Sequence, residues 1–123
     1  YGIKNVVCSE DCVDFYNPKV ISSTKGSFAR VLPLYTNLND FLCQQNGNVY
    51  GAFMEGNSIY SLDKIERHNF LLMGNEANGL NDSLSKYINK KITIPQVGDA
   101  ESLNVAIATS ILCDNFIRLK PKS

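Results

Sequence analysis

Phe70-Leu71-Leu72-Met73-Gly74-Asn75-Glu76-Ala77-Asn78-Gly79-Leu80 is the stretch whose reading decides the fold of this 123-residue chain. Four apolar residues run without a polar break, and a Gly-rich turn carrying one carboxylate follows. An apolar run bounded by glycine reads as a strand buried on both faces, the pattern of a parallel sheet. In open α/β sheets ligands sit beyond the carboxyl ends of the strands. Gly74, Asn75, Glu76 and Gly79 fall at such an end. Glycines there let backbone N–H groups approach a ligand with no Cβ in the way. The same residues also suit a plain strand-to-helix turn with a surface glutamate, and the stretch alone does not choose.

Downstream, Asn81 caps an expected helix over residues 82–88. Lys86, Lys90 and Lys91 sit near its end, where cations suit the helix dipole. A strand over 91–94 closes at Pro95, and a Pro/Gly loop leads to a helix expected over 102–119. Its apolar positions, Leu103, Val105, Ile107, Ile111, Leu112, Phe116 and Ile117, cover more than one face. Such a helix is buried against more than a sheet, and a second subunit is one explanation. Glu101, Ser102 and Asn104 interrupt its first turn, where unpaired N–H groups and polar side chains make either a binding site or a solvated cap.

Upstream, residues 49–54 read as a second buried strand, with Glu55-Gly56-Asn57 as the turn at its carboxyl end. Residues 3–9 and 31–35 read as shorter strands. Pro18 opens a helix to about residue 30, weakened by Ser22, Ser23, Thr24 and Gly26. A further helix is expected over 38–45 and a single helical turn over 63–67. Strand and helix alternate, which gives an α/β fold, a mainly parallel sheet with helices on both faces. Two Gly-rich strand ends and one polar helix start then converge on one side, as in a small-molecule pocket.

Twelve basic and twelve acidic residues give a formal charge of zero, so a polyanion would need a local basic patch. Cys8, Cys12, Cys43 and Cys113 lack the spacing of a zinc site, and His68 has no partner for one. Buried free thiols in a reducing, cytoplasmic setting are expected, with no metal and no membrane span. The chain opens on Tyr1-Gly2-Ile3 without a methionine, as a piece of a longer protein would.

The two informative segments together resemble the SpoU (TrmH-type) branch of the SPOUT RNA methyltransferases. Gly74-Asn75-Glu76-Ala77-Asn78-Gly79-Leu80 is similar to that family's second motif, Gly-x-Glu-x-x-Gly at a strand end. Ile94-Pro95-x-x-Gly98-x-x-Glu101-Ser102-Leu103-Asn104-Val105 is similar to its third. Asn17-Pro18-Lys19-Val20 with Gly26, and Gly51-Ala52 with Gly56, match weaker features. The resemblance covers the chain, as one SpoU-type domain over 1–123 that lacks its first strand and first motif.

The resemblance implies a trefoil-knotted α/β fold, a homodimer through the C-terminal helix, and S-adenosylmethionine as methyl donor to a ribose 2′-hydroxyl of ribosomal or transfer RNA. Backbone groups around Gly74, Ile94 and Leu103 would hold the cofactor's adenine and ribose, with Met54 and Gly56 lining the pocket and Asn75 and Gly79 beside it. Glu76 and Asn104 match positions the family needs for activity, and Ser102 lies beside them. The family's first-motif arginine precedes Ile3, and Arg30, Arg67 and Arg118 all fall elsewhere. Two other readings stand beside this one. The first is a non-catalytic paralogue binding RNA or a protein partner. The second is a flavodoxin-like phosphate site, in which Glu76 would repel the anion.

Overall fold

Strands and helices alternate along the chain, and every strand pairing is parallel. The computed structural model describes residues 1–99 and 101–122; Ala100, inside the second informative segment, and Ser123 lie outside the described residues. Two compact units result, one over residues 2–44 and one over 45–123 together with Tyr1.

In the first unit β1 (Val6–Cys8) pairs with β2 (Pro33–Tyr35), Cys8 opposite Tyr35. Between them α1 spans Pro18–Ser23, and α2 (Leu38–Cys43) follows β2. The helix expected to reach residue 30 stops early because Lys25 (φ 51°) and Gly26 (φ 89°) are both left-handed. A 3-10 turn over Ser27–Ala29 takes its place. Asn17 and Asn37 cap the two helices by accepting N–H bonds on their side-chain oxygens. All four cysteines are free, but Cys12 and Cys43 are exposed rather than buried.

The second unit carries the informative stretch. Its sheet has the order β4-β3-β5, with β3 (Asn48–Ser58) between β4 (Asn69–Leu72) and β5 (Lys90–Thr93). The turn expected at Glu55-Gly56-Asn57 does not form. The strand instead continues through a bulge, its pairing with β5 jumping from Ala52 to Asn57 opposite the same Ile92. Asn89 pins the start of β5: its side-chain oxygen accepts from Val49 N–H at 2.7 Å and its own N–H donates to Val49 C=O at 2.9 Å.

Two expected helices are corrected. Residues 82–88 form a 3-10 turn (Asp82–Tyr87), and residues 63–67 have no helical turn, one forming instead at Ile59–Ser61 under a Ser58 cap. The last helix, α3, spans Val105–Leu119. It begins three residues later than expected because Asn104 is its cap, with extended rather than helical geometry.

Tyr50, Ile59, Ile65, Ile92, Leu112 and Phe116 form the core of this unit. Tyr50 and Phe116 meet edge-to-face, 5.0 Å between centroids. Thus α3 seats its Leu112–Phe116 face on β3 and β5, while Ile107 stays 54% exposed. Among the described residues no helix is long and apolar enough to cross a membrane. Leu112→Ala, at a position 1% exposed, is expected to cost about 2–5 kcal/mol in chemical denaturation.

Candidate functional site

Four chain segments of the second unit enclose a cleft of about 950 Å³. They are the loop after β4, the bulge of β3, the end of β5 and the start of α3. Each of the ten residues singled out in the sequence lines it. Gly74, Asn75, Glu76 and Gly79 come from the loop, Met54 and Gly56 from the bulge, Ile94 from the end of β5, and Ser102, Leu103 and Asn104 from the approach to α3. Residues fifty positions apart in sequence therefore share one wall system, brought together by the parallel order of β3, β4 and β5.

The loop after β4 folds back on itself. Asn75 and Gly79 form an antiparallel bridge, with N–H···O distances of 3.2 and 3.1 Å. Asn78 N–H also donates to the Asn75 side-chain oxygen at 2.6 Å. This tight return needs Gly79 at φ +65° and no side chain at Gly74, where a Cβ would stand 2.2 Å from the Gly79 carbonyl carbon.

Asn104 joins this loop to α3. Its side-chain oxygen accepts from Ala106 N–H (2.9 Å) and Ile107 N–H (3.3 Å), the helix's first unpaired donors. That leaves the amide nitrogen as a donor, and it reaches Glu76 Oε1 at 3.1 Å. The amide orientation is fixed by chemistry, since only the oxygen can accept from two N–H groups. Glu76 is otherwise exposed, so its position in the cleft rests on this contact.

Some of the site escaped sequence reading. Thr93 donates its hydroxyl to Met54 C=O at 3.0 Å, tying the end of β5 to the bulge. Only the strand register shows this contact. Ala108 and Leu112 line the inner part of the cleft, and their spacing of four and eight residues after Asn104 was a legible signal for that face. Lys91 is the one cation of the lining, against the carboxylates Glu55 and Glu76, and its ammonium lies 4.9 Å from the centre of the Phe53 ring.

The walls are mixed: Ala52, Met73, Leu103 and Leu112 are apolar, while Asn75, Thr93, Gln96, Ser102 and Asn104 are polar. Volume and mixed lining suit a drug-sized ligand. No group of three or more His, Cys, Asp or Glu among the described residues could hold a metal.

The family model of the SpoU rRNA Methylase family matches residues 1–114. Among curated proteins, the 23S rRNA (guanosine(2553)-2′-O)-methyltransferase RlmP of Bacillus subtilis is 29% identical over 114 residues, covering 90% of this chain and 46% of that protein. An RNA methyltransferase structure of the TrmH family from Porphyromonas gingivalis superposes with a TM-score of 0.83 at 38% identity, covering 94% of this chain and 49% of that one. The AdoMet-bound rRNA methyltransferase from Sinorhizobium meliloti does so with a TM-score of 0.87 at 28% identity, over 95% and 46%. The chain thus spans about half the length of each of these three relatives.

The two duties of Asn104 can be separated. Asn104→Ala removes the cap and the Glu76 contact together, and is expected to cost about 1 kcal/mol in denaturant unfolding. Asn104→Ser keeps a capping oxygen and loses the amide donor to Glu76, so its loss of stability is expected to be smaller.

Proposed function

Because the chain belongs to the SpoU rRNA methylase family, we propose that the protein transfers a methyl group from S-adenosylmethionine to a ribose 2′-hydroxyl of ribosomal or transfer RNA. The observation that carries this reading is the Asn104–Glu76 hydrogen bond inside the cleft where all ten candidate residues meet. A solvated cap and a surface glutamate have no need of each other; a site that must hold a carboxylate in place does. The names of the relatives, a 23S rRNA guanosine 2′-O-methyltransferase and an AdoMet-bound rRNA methyltransferase, support the substrate class and the donor.

The cofactor supplies a methyl group already activated on a sulfonium, which leaves as a neutral thioether. The chain's own residues do the rest. Main chain at Gly74, Ile94 and Leu103 would hold the adenine and ribose, with Met54 and Gly56 lining the pocket. Neutral main-chain recognition suits a neutral base, and it leaves the carboxylates free for the reacting end. Glu76 accepts a hydrogen bond from the ribose hydroxyl, a poor nucleophile until its proton is drawn upon. Asn104 keeps that carboxylate at a fixed position, and Ser102 adds a hydroxyl at the same rim. Placing the oxygen and the methyl carbon in line supplies much of the remaining acceleration.

Family membership also supports a trefoil-knotted path for the last helix and a homodimer in a cytoplasmic setting. The exposed Ile107 and Ile117 of α3 are the apolar surface that a partner subunit would cover.

The test is methyl transfer from labelled donor to unmodified ribosomal and transfer RNA, followed by digestion to nucleosides. Label in a 2′-O-methylnucleoside is expected; label in a base-methylated nucleoside, or none, contradicts the reading. Asn104→Ser and Glu76→Gln are expected to stay folded and to lose about 10²-fold or more of the rate. Full activity in either would remove the carboxylate–amide contact from the account.

A further inference from the structure

Lys86, Lys90 and Lys91 lose in the structure the role their positions suggested. What precedes β5 is six residues of 3-10 turn, not an α-helix whose dipole would favour cations at its end. Each lysine lies instead over an aromatic ring. Lys86 stands 5.2 Å from the Tyr87 centroid, Lys90 5.8 Å from Tyr50 and Lys91 4.9 Å from Phe53. No acidic residue occurs between Asp82 and Asp99. Among the described residues the one ion pair is Asp114–Arg118, so none of these three lysines is in a direct ion pair, and Lys91 shares the cleft lining with Glu55 and Glu76.

A chain with no net charge therefore concentrates three unpaired, exposed cations around the start of an edge strand. One of them reaches the cleft. Lys91 lies opposite Gly51 in the sheet, and its side chain extends over Phe53, itself part of the cleft wall. Lys90, the preceding residue on β5, projects from the other face. The three cations thus surround the edge rather than pave one face of the sheet.

We propose that this lysine–aromatic edge is where the RNA strand crosses into the cleft, with phosphates at Lys86 and Lys90 on the rim and at Lys91 beside the nucleotide that enters. This rests on the reading of RNA as substrate. Unpaired lysines meet the backbone charge of a single strand, and half-buried rings such as Tyr87 and Phe53 offer faces for bases that leave the stack. Lys91 closes the path, because it belongs both to the basic edge and to the wall.

The test is the salt dependence of binding of a short, labelled, mixed-sequence single-stranded RNA, followed by fluorescence anisotropy. Wild type is compared with Lys86→Ala/Lys90→Ala and with Lys120→Ala/Lys122→Ala, an equal loss of charge elsewhere. Calorimetry with S-adenosylhomocysteine runs in parallel on all three. The edge variant is expected to bind RNA more weakly, with the slope of log K against log salt reduced by about 1.4, from ~0.7 per single-strand phosphate contact. The control variant and the calorimetry are expected to match wild type. Equal losses in both variants would overturn the proposal in favour of bulk charge. So would unchanged RNA binding with new self-association, which would mean that the lysines only guard a strand edge. Wild type that binds S-adenosylhomocysteine but no RNA overturns this inference alone; wild type that binds neither overturns the functional reading on which it rests.

Discussion

One side-chain amide joins the two halves of the cleft. Asn104 accepts from two N–H groups at the start of α3 and donates to Glu76 on the loop after β4. This oxygen satisfies two of the helix's first donors, and the amide is what holds the exposed Glu76 carboxylate. A residue type that both accepts and donates in a fixed plane is required, which restricts the position to Asn or Gln, and the short reach of a cap favours Asn. Helix start and carboxylate position are therefore one property of this chain. The loop in turn depends on Gly74, because the backbone of Gly79 occupies the space any side chain there would need.

The electrostatic layout follows from the same economy. The chain is neutral as a whole, yet its charges are sorted: Glu55 and Glu76 on the cleft wall with Lys91 at its edge, and Lys86 and Lys90 on the approach to it. Carboxylates suit the polarisation of a hydroxyl, and they would repel a phosphate held in the same place. The carboxylates weigh against a phosphate at the Glu76 end of the cleft, and they separate the reacting end from the Lys91 side that meets a polyanion.

Most of the site was legible in the sequence because its residues sit at strand ends and one helix start, where glycine and capping chemistry leave local marks. Gly74, Glu76 and Gly79 stood out as a strand end and Asn104 as part of a polar helix start, while their choice as site residues came from the resemblance. What escaped needed the register of distant strands. The bulge of β3 looked like a turn, since Glu55-Gly56-Asn57 has turn composition and only the pairing with β5 keeps it extended. Thr93 carries no local signal, and its contact with Met54 exists because β5 lies beside that bulge. The helix forecast over residues 19–30 failed on backbone handedness at Lys25 and Gly26, and the forecast over 82–88 failed because six residues closed as a tighter turn. Both errors concern short, weakly periodic segments, where local preference is small beside tertiary context. Membership of the whole family came from two motifs in order, not from the elements between them.

The measurement that bears most directly on the central claim is calorimetric titration of the purified protein with S-adenosylhomocysteine, the demethylated product, beside the same titration of Gly74→Ala. The account predicts binding near the micromolar range, about 8 kcal/mol, for wild type. It predicts loss of that binding in a variant that stays folded by circular dichroism, because the added methyl displaces the loop that forms the wall. Absence of binding by well-folded wild type, or equal binding by Gly74→Ala, would contradict it.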